Sequence, residues 1–253
     1  MSKNIGIIFA GGVGKRMGIK QIPKQFLIVD EKPIIVHTLE YFQHHKNIDE
    51  IYISCVEDWI DHMKEIIDTY KVDKVKAIVK GGDTAQDSIF NALKEAETNN
   101  DKDSIVLIHD GVRPFISQEL ISDIIQCVEK NGNAITCTPC YETIIISGDG
   151  ENVGEVPLRK ETYSAQAPQA FRLGDILKAH EEIKKENPSY ENVVDQCTLM
   201  RCLGKNVYMV RGNRGNIKIT KPEDVYMLEA LMEYRKGEEI MGVSYLDTKH
   251  ESN

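Results

Sequence analysis

The chain has 253 residues, 41 % hydrophobic and 28 % charged, which suits one large α/β domain with a packed core. Its formal net charge of −9 argues against a general nucleic-acid binder and leaves room for an anionic small substrate held in a local basic pocket. No run approaches 18 apolar residues, so no membrane span is expected, and the N-terminus has no small-residue cleavage site of the secretory kind.

In chain order, Ile5 to Ala10 reads as a buried strand that stops at a cluster of glycines. Ile34, Ile35, Leu39 and Phe42 then recur at helical spacing. Ile51 to Cys55 is a second strand, and Ile60, Met63, Ile67 and Tyr70 mark a second helix. Val75 to Val79 is a third strand. Ala85, Ile89, Leu93 and Ala96 mark a third helix, opened by a capping box of Asp83 with Gln86. Ile105 to His109 is a strand, and Ile121, Ile124, Ile125 and Val128 form the next helical stripe. This alternation predicts a mostly parallel sheet with helices on both faces.

The rhythm changes after residue 133. Ala134 to Thr138 and Thr143 to Ser147 are strand-like, SGDGEN is a turn cluster, and Val153 to Pro157 is placed as an antiparallel return. A protruding β-arm is therefore expected over about residues 139–163. Helices around Leu173 to Lys184 and Asp195 to Leu203 follow, then a strand at Val207 to Val210 and the segment NIKIT. Thr220 and Glu223 are placed as the capping box of a last helix carrying Val225, Leu228, Leu231 and Met232, ahead of a polar tail. Residues 1–240 are read as one domain, with 241–253 as the tail.

Six cysteines include a single CxxC pair, Cys137 and Cys140, and none of the seven histidines forms an HxxxH pair. Reduced thiols in a cytoplasmic protein fit this better than a zinc site, which needs four spaced ligands. The glycine loop between Gly6 and Gly18 lies where parallel sheets bind ligands, and its backbone N–H groups suit phosphate oxygens. The loop fails the Walker pattern, because Arg16 follows Gly14-Lys15. It also fails the dinucleotide pattern, because Met17 stands at the third glycine. Lys15, Arg16, Lys20 and Lys24 crowd this stretch of an acidic protein, an arrangement that a triphosphate would neutralise.

Ala10-Gly-Gly-Val-Gly-Lys-Arg-Met17 followed by Pro23-Lys24-Gln25-Phe26 resembles the nucleotidyltransferases that make nucleotide-activated sugars and polyols. More narrowly it resembles the cytidylyltransferases of ribitol 5-phosphate and of 2-C-methyl-D-erythritol 4-phosphate. Gly81-Gly82-Asp83 with Ser88, His109-Asp110-Gly111-Val112-Arg113-Pro114, Ala167-Pro168-Gln169 and Asn216-Ile217-Lys218-Ile219-Thr220 continue the resemblance in order. The resemblance implies a Rossmann-like three-layer fold and a homodimer whose arm completes the neighbour's acceptor site. It implies Mg²⁺ as the ion and CTP and a polyol phosphate as substrates. Arg16, Lys24 and Lys218 would hold the transition state. Ala10, Gly11, Gly12, Gly14, Gly82, Asp83, Ser88, Asp110 and Gly111 would bind the nucleotide, with Asp110 meeting the metal through water. Asp110, Arg113, Thr143 and Arg159 would bind the acceptor.

Ala167 stands where the resembling family has threonine, so one acceptor contact does not carry over. HDGVRPF and PKQFL lean toward the ribitol phosphate branch, with methylerythritol phosphate, glycerol phosphate and other pentitol phosphates as alternatives. A non-catalytic nucleotide sensor on the same fold and a nicotinamide dehydrogenase are the rival readings. Joint retention of Arg16, Lys24 and Lys218 disfavours the first, and the missing third glycine disfavours the second.

Overall fold

A computed structural model describes residues 2–11 and 22–241, the last four of these by backbone only. Gly12, Gly14, Lys15, Arg16, Lys20 and the polar tail beyond residue 241 lie outside the described residues. Nine strands and seven α-helices are described, in the chain order β1 (Asn4–Ala10), β2 (Ile28–Val29), β3 (Lys32–Pro33), α1 (Ile34–His44), β4 (Glu50–Cys55), α2 (Ile60–Tyr70), β5 (Val75–Lys80), α3 (Ala85–Glu97), β6 (Ile105–Asp110), α4 (Gln118–Asn131), β7 (Asn133–Pro139), β8 (Tyr163–Arg172), α5 (Leu173–Glu186), α6 (Gln196–Cys202), β9 (Met209–Arg211) and α7 (Pro222–Met241).

Seven strands form one sheet in the order β5-β4-β1-β6-β8-β7-β9. The β5-β4-β1-β6 half is parallel, β8 runs antiparallel to both β6 and β7, and β9 pairs parallel with β7. Strand alternation divides the core between the two faces. Ile8, Ile51, Ile53 and Leu107 pack under α1, α2 and α4, whereas Ile5, Ile7, Val106 and Ile108 pack under α3, α5 and α6. Gly6 leaves a notch in β1 that the Phe42 ring fills, since a Cβ there would stand 2.9 Å from Phe42 Cδ1.

The parallel half follows the hydrophobic pattern closely, and the differences lie at caps and in the second half. The α3 cap is Thr84: its Oγ1 accepts from Asp87 N at 3.0 Å and donates to Asp87 Oδ2 at 2.7 Å. The box thus sits one residue beyond the Asp83–Gln86 pair expected from sequence. At α7 the amides of Thr220 and Lys221 both donate to Asp224 Oδ2 at 2.7 Å, so Asp224 takes the part assigned to Glu223. NIKIT forms no strand. It is an irregular segment tied down by Ile219 N donating to Val112 O at 2.9 Å.

Strand β8 was not anticipated, because Pro168 interrupts its pattern. The proline is tolerated at a register shift: Ile135 pairs with Gln169 and Cys137 with Ala165, so three β8 residues oppose Thr136 alone. Thr136 Oγ1 closes the gap by donating to Pro168 O at 2.7 Å.

The arm leaves β7 and returns to β8 through the Pro139–Tyr163 pair. Its two expected strands reduce to one bridge, Ile146 to Glu155, because no neighbouring strand among the described residues satisfies their outer edges. The turn between them is built on Asp149 Oδ1, which accepts from Ser147 Oγ, Glu151 N and Asn152 N at 2.8–3.0 Å.

Replacing Phe42 by alanine opens a cavity over Gly6. The expected cost is about 3–5 kcal/mol, read as a lower denaturant midpoint with an unchanged m-value.

Candidate active site

The sheet order reverses between β1 and β6, because the chain adds β4 and β5 on one side of β1 and then crosses to the other. Ligands of open α/β sheets bind in the crevice beyond the strand ends at such a point. Here the C-terminal ends of β1 and β6 carry Ala10 and Asp110. A cleft of about 330 Å³ opens beside them, lined by Phe9, Asp110, Arg113, Lys218 and residues of α3, β8 and the start of α6.

Asp110 is the electrostatic centre of this cleft. Its carboxylate accepts from Arg113 Nε at 2.8 Å on one oxygen and forms an ion pair with Lys218 Nζ on the other. Burial pushes the Asp110 carboxyl up, but Lys218 and then Arg113 outweigh it and hold the group at about 2. Arg113 also donates to Asn216 O at 2.7 Å, and Asn216 Nδ2 donates to Ala167 O at 2.6 Å, which docks the irregular 216–220 segment on β8. Lys24 lies on a single 3₁₀ turn, Lys24–Phe26, and its Nζ donates to Ile219 O at 2.7 Å. Lys24 and Lys218, 194 positions apart, thus meet on one strip of chain. The neighbouring Gln25 is buried and donates to Ala10 O at 2.7 Å, fixing the end of β1.

The glycines act through close approach. A Cβ at Gly11 would meet Ser88 Oγ at 2.7 Å, and one at Gly82 would meet Asp87 Cβ at 2.3 Å. Ser88 Oγ accepts from Gly82 N at 3.0 Å and donates to Thr84 O at 3.0 Å. Ser88 therefore welds the Gly82 turn to the start of α3, leaving Gly82 and Asp83 exposed at the strand edge. Gly111 N donates to Phe9 O at 3.0 Å, joining the ends of β1 and β6. His109, just before Asp110, is wholly buried, and burial pushes its ring down to about 4. Its Nε2 donates to Arg113 O at 3.1 Å, so it braces the Arg113 turn as a neutral imidazole.

Of the residues expected from sequence, the structure brings Ala10, Gly11, Lys24, Asp110, Gly111, Arg113 and Lys218 together around the switch point, with Gly82, Asp83 and Ser88 on the adjoining β5–α3 turn. Thr143 and Arg159 stand apart on the exposed arm and do not line their own chain's cleft. Sequence reasoning missed Gln166, Asp195 and Gln196 as cleft residues. Gln166 lies in the strand that Pro168 disguised. The signal for the other two was the Asp195–Thr198 spacing, an N-cap pattern that places them at the mouth of a short helix.

The chain matches, over residues 5–234, the protein family described as IspD: 2-C-methyl-D-erythritol 4-phosphate cytidylyltransferase. It belongs to that family. It is 44 % identical over 240 residues to a ribitol-5-phosphate cytidylyltransferase of Streptococcus agalactiae serotype V, covering 95 % of this chain and 99 % of the relative. It is 40 % identical over 233 residues to a 2-C-methyl-D-erythritol 4-phosphate cytidylyltransferase of Clostridium botulinum strain Langeland, covering 92 % and 99 %. Its fold matches the crystal structure of the 4-diphosphocytidyl-2C-methyl-D-erythritol synthase from Anaerococcus prevotii with a TM-score of 0.78, at 33 % identity, over 92 % of this chain and 96 % of that one. The family member described here is thus an enzyme, a cytidylyltransferase, with the mostly parallel α/β sheet of its structural relatives.

The depressed Asp110 carboxyl stabilises the fold fully above about pH 4, and that contribution is lost as the pH falls from there towards about 2. Asp110→Asn should flatten this acid limb. It should also lower stability at neutral pH by roughly 3–5 kcal/mol, since it strips the partner from a largely buried guanidinium; urea titrations across pH measure both effects.

Proposed function

We propose that the enzyme transfers CMP from CTP to D-ribitol 5-phosphate, giving CDP-ribitol and pyrophosphate, a precursor for teichoic acid or capsule synthesis. The observation that carries the chemistry is the pair of cations, Arg113 and Lys218, on the buried carboxylate of Asp110, with Lys24 held next to Lys218 on the Ile219 carbonyl. It offers an excess of positive charge at the point where parallel sheets bind phosphates.

An oxygen of the acceptor phosphate attacks the α-phosphorus of CTP. The new P–O bond forms as the α–β bridging bond breaks, and pyrophosphate departs with the electron pair. The attacking oxygen is already ionised, so no general base is required, and the protein's task is positioning and charge stabilisation. Lys218, held by Asp110 and seated 5.6 Å above the Phe9 ring, faces the α-phosphate. Lys24 and Arg16 attend the triphosphate, and Arg113 the acceptor phosphate with its planar fork.

Among the described residues no three His, Cys, Asp or Glu side chains gather as a metal site. Asp110 would hold a Mg²⁺ brought in with the triphosphate through a water rather than directly, since both of its oxygens already serve cations. Bound there, the ion would neutralise phosphate charge.

The ribitol reading is supported by the 44 % identity to ribitol-5-phosphate cytidylyltransferases and by the HDGVRPF and PKQFL segments. The second reading, methylerythritol phosphate, is favoured by the family description and the 40 % relatives. Residues 1–240 would act as one catalytic unit in a homodimer. The arm exposes Ile145, Val156 and Leu158 at 54–61 %, a surface suited to a second copy, and carries Thr143 and Arg159 to the partner's cleft. Six free cysteines suit the reducing cytoplasm, and no helix among the described residues is long and apolar enough to cross a membrane.

Pyrophosphate release from CTP and Mg²⁺ is measured with ribitol 5-phosphate and with methylerythritol 4-phosphate in parallel. Release with the first alone is the expected result, and release with the second alone moves the protein to isoprenoid synthesis. Lys24→Ala should lower kcat by about 100- to 1,000-fold while the melting curve holds. Mixing unfolded and refolded Lys24→Ala and Arg159→Ala chains should restore activity that neither shows alone, because one site of each mixed dimer is complete; absence of recovery would count against a shared site.

A further inference from the structure

The lining of the cleft combines two chemically different groups. Arg113 and Lys218 pair with Asp110. Gln86, Gln166, Gln169 and Gln196 form the second group, each less than a tenth exposed and each bonded within the protein. Gln196 Nε2 donates to Gln86 Oε1 at 2.6 Å, and Gln196 Oε1 accepts from His180 Nε2 at 2.9 Å. His180 is a buried neutral ring, pushed down to about 4 by burial, and Tyr190 OH donates to its other nitrogen at 2.7 Å. Gln169 donates to Gln166 O and to Asp195, and accepts from Cys197 N at 3.0 Å. The remaining surface here, from Ile89, Ile108, Ala165, Ala167 and Val194, is apolar.

Asp195 differs from these neighbours. It is half-buried and lines the cleft. Its Oδ1 is filled by Thr198, which donates both N and Oγ1 at 2.7 Å as Asp195 caps α6. Its Oδ2 accepts one bond, from Gln169 Nε2 at 2.9 Å, while a carboxylate oxygen has room for two. The group is therefore held on both oxygens with an acceptor position left over.

We propose that Asp195 is a substrate-binding residue that reads a hydroxyl of the acceptor's polyol chain and thereby sets the acceptor's direction in the cleft. The inference rests on the polyol phosphate reading above. An ionised carboxylate accepts and never donates, so it selects hydroxyls, and it repels a phosphate. The acceptor is thus steered with its phosphate against Arg113 and Lys218 and its hydroxylated tail against Asp195.

Asp195→Asn and Asp195→Ser both keep an oxygen that can cap α6, so each should fold with a melting temperature close to that of the wild type. Steady-state kinetics are run with whichever acceptor the wild-type enzyme turns over. Calorimetric titration of ribitol 5-phosphate and methylerythritol 4-phosphate gives the same comparison without turnover, which separates failure of this inference from failure of the functional reading. The acceptor KM or Kd should rise about tenfold or more in both variants, with the KM for CTP within about twofold, as expected for loss of a charge-assisted hydrogen bond. With acceptors lacking one hydroxyl at a time, the difference between wild type and Asp195→Asn should vanish for a single deoxy compound. A loss of equal size with every deoxy acceptor, a rise in the KM for CTP, or unchanged acceptor binding would overturn the assignment.

Discussion

One buried carboxylate organises the site. Asp110 sits at the end of β6 and holds Lys218 and Arg113 at once, and those two cations bring in the rest. Arg113 carries Asn216, Asn216 carries Ala167 of β8, and Ile219 receives Lys24, whose neighbour Gln25 anchors the end of β1. A ring of bonds thus closes around the crevice from segments dispersed along the sequence. A buried ion pair is weak evidence for stability, since desolvation offsets most of the attraction. Its value here is orientation: the two cations are fixed by the protein's own contacts, which is the preorganisation that charge stabilisation calls for.

The parallel half of the fold was legible in the sequence because β1, β4 and β6 are buried on both faces and each helix carries a clean apolar stripe. Ile5 to Ala10 and Ile105 to Asp110 advertise themselves, and so does the glycine junction between sheet and loop. The second half was less legible for particular physical reasons. β8 carries Pro168, which a paired strand rejects unless a register shift absorbs it, and that shift is a property of its partner Thr136. Lys218 reads as a position in an alternating strand, yet the segment is irregular and held by Val112 and Asn216. At α3 and α7 the capping groups were displaced by one residue, within the reach of short side chains that compete for the same amides.

Site chemistry was legible where it depends on residue type and hidden where it depends on pairing. Cations crowded beside glycines pointed to a polyanion. The glutamine wall and Asp195 carried no such signal, because amides and a capping aspartate look the same in sequence whether they face solvent, a core or a ligand. The return of β8 beside β6 brings Gln166 and Gln169 to the crevice, and Gln169 holds Asp195 there.

The arm joins the sheet at its base, where β7 ends and β8 begins. β7 and β8 are antiparallel neighbours, and they are clasped at their far ends by the Pro139–Tyr163 pair and by Cys140 N donating to Thr162 O at 3.0 Å. Everything beyond that clasp is a hairpin excursion that no helix crossover depends on. The sheet therefore places no limit on its length, its tip or its sequence. In mechanical terms the arm is a separable module: a change in its length or tip leaves the strand pairing of the sheet intact.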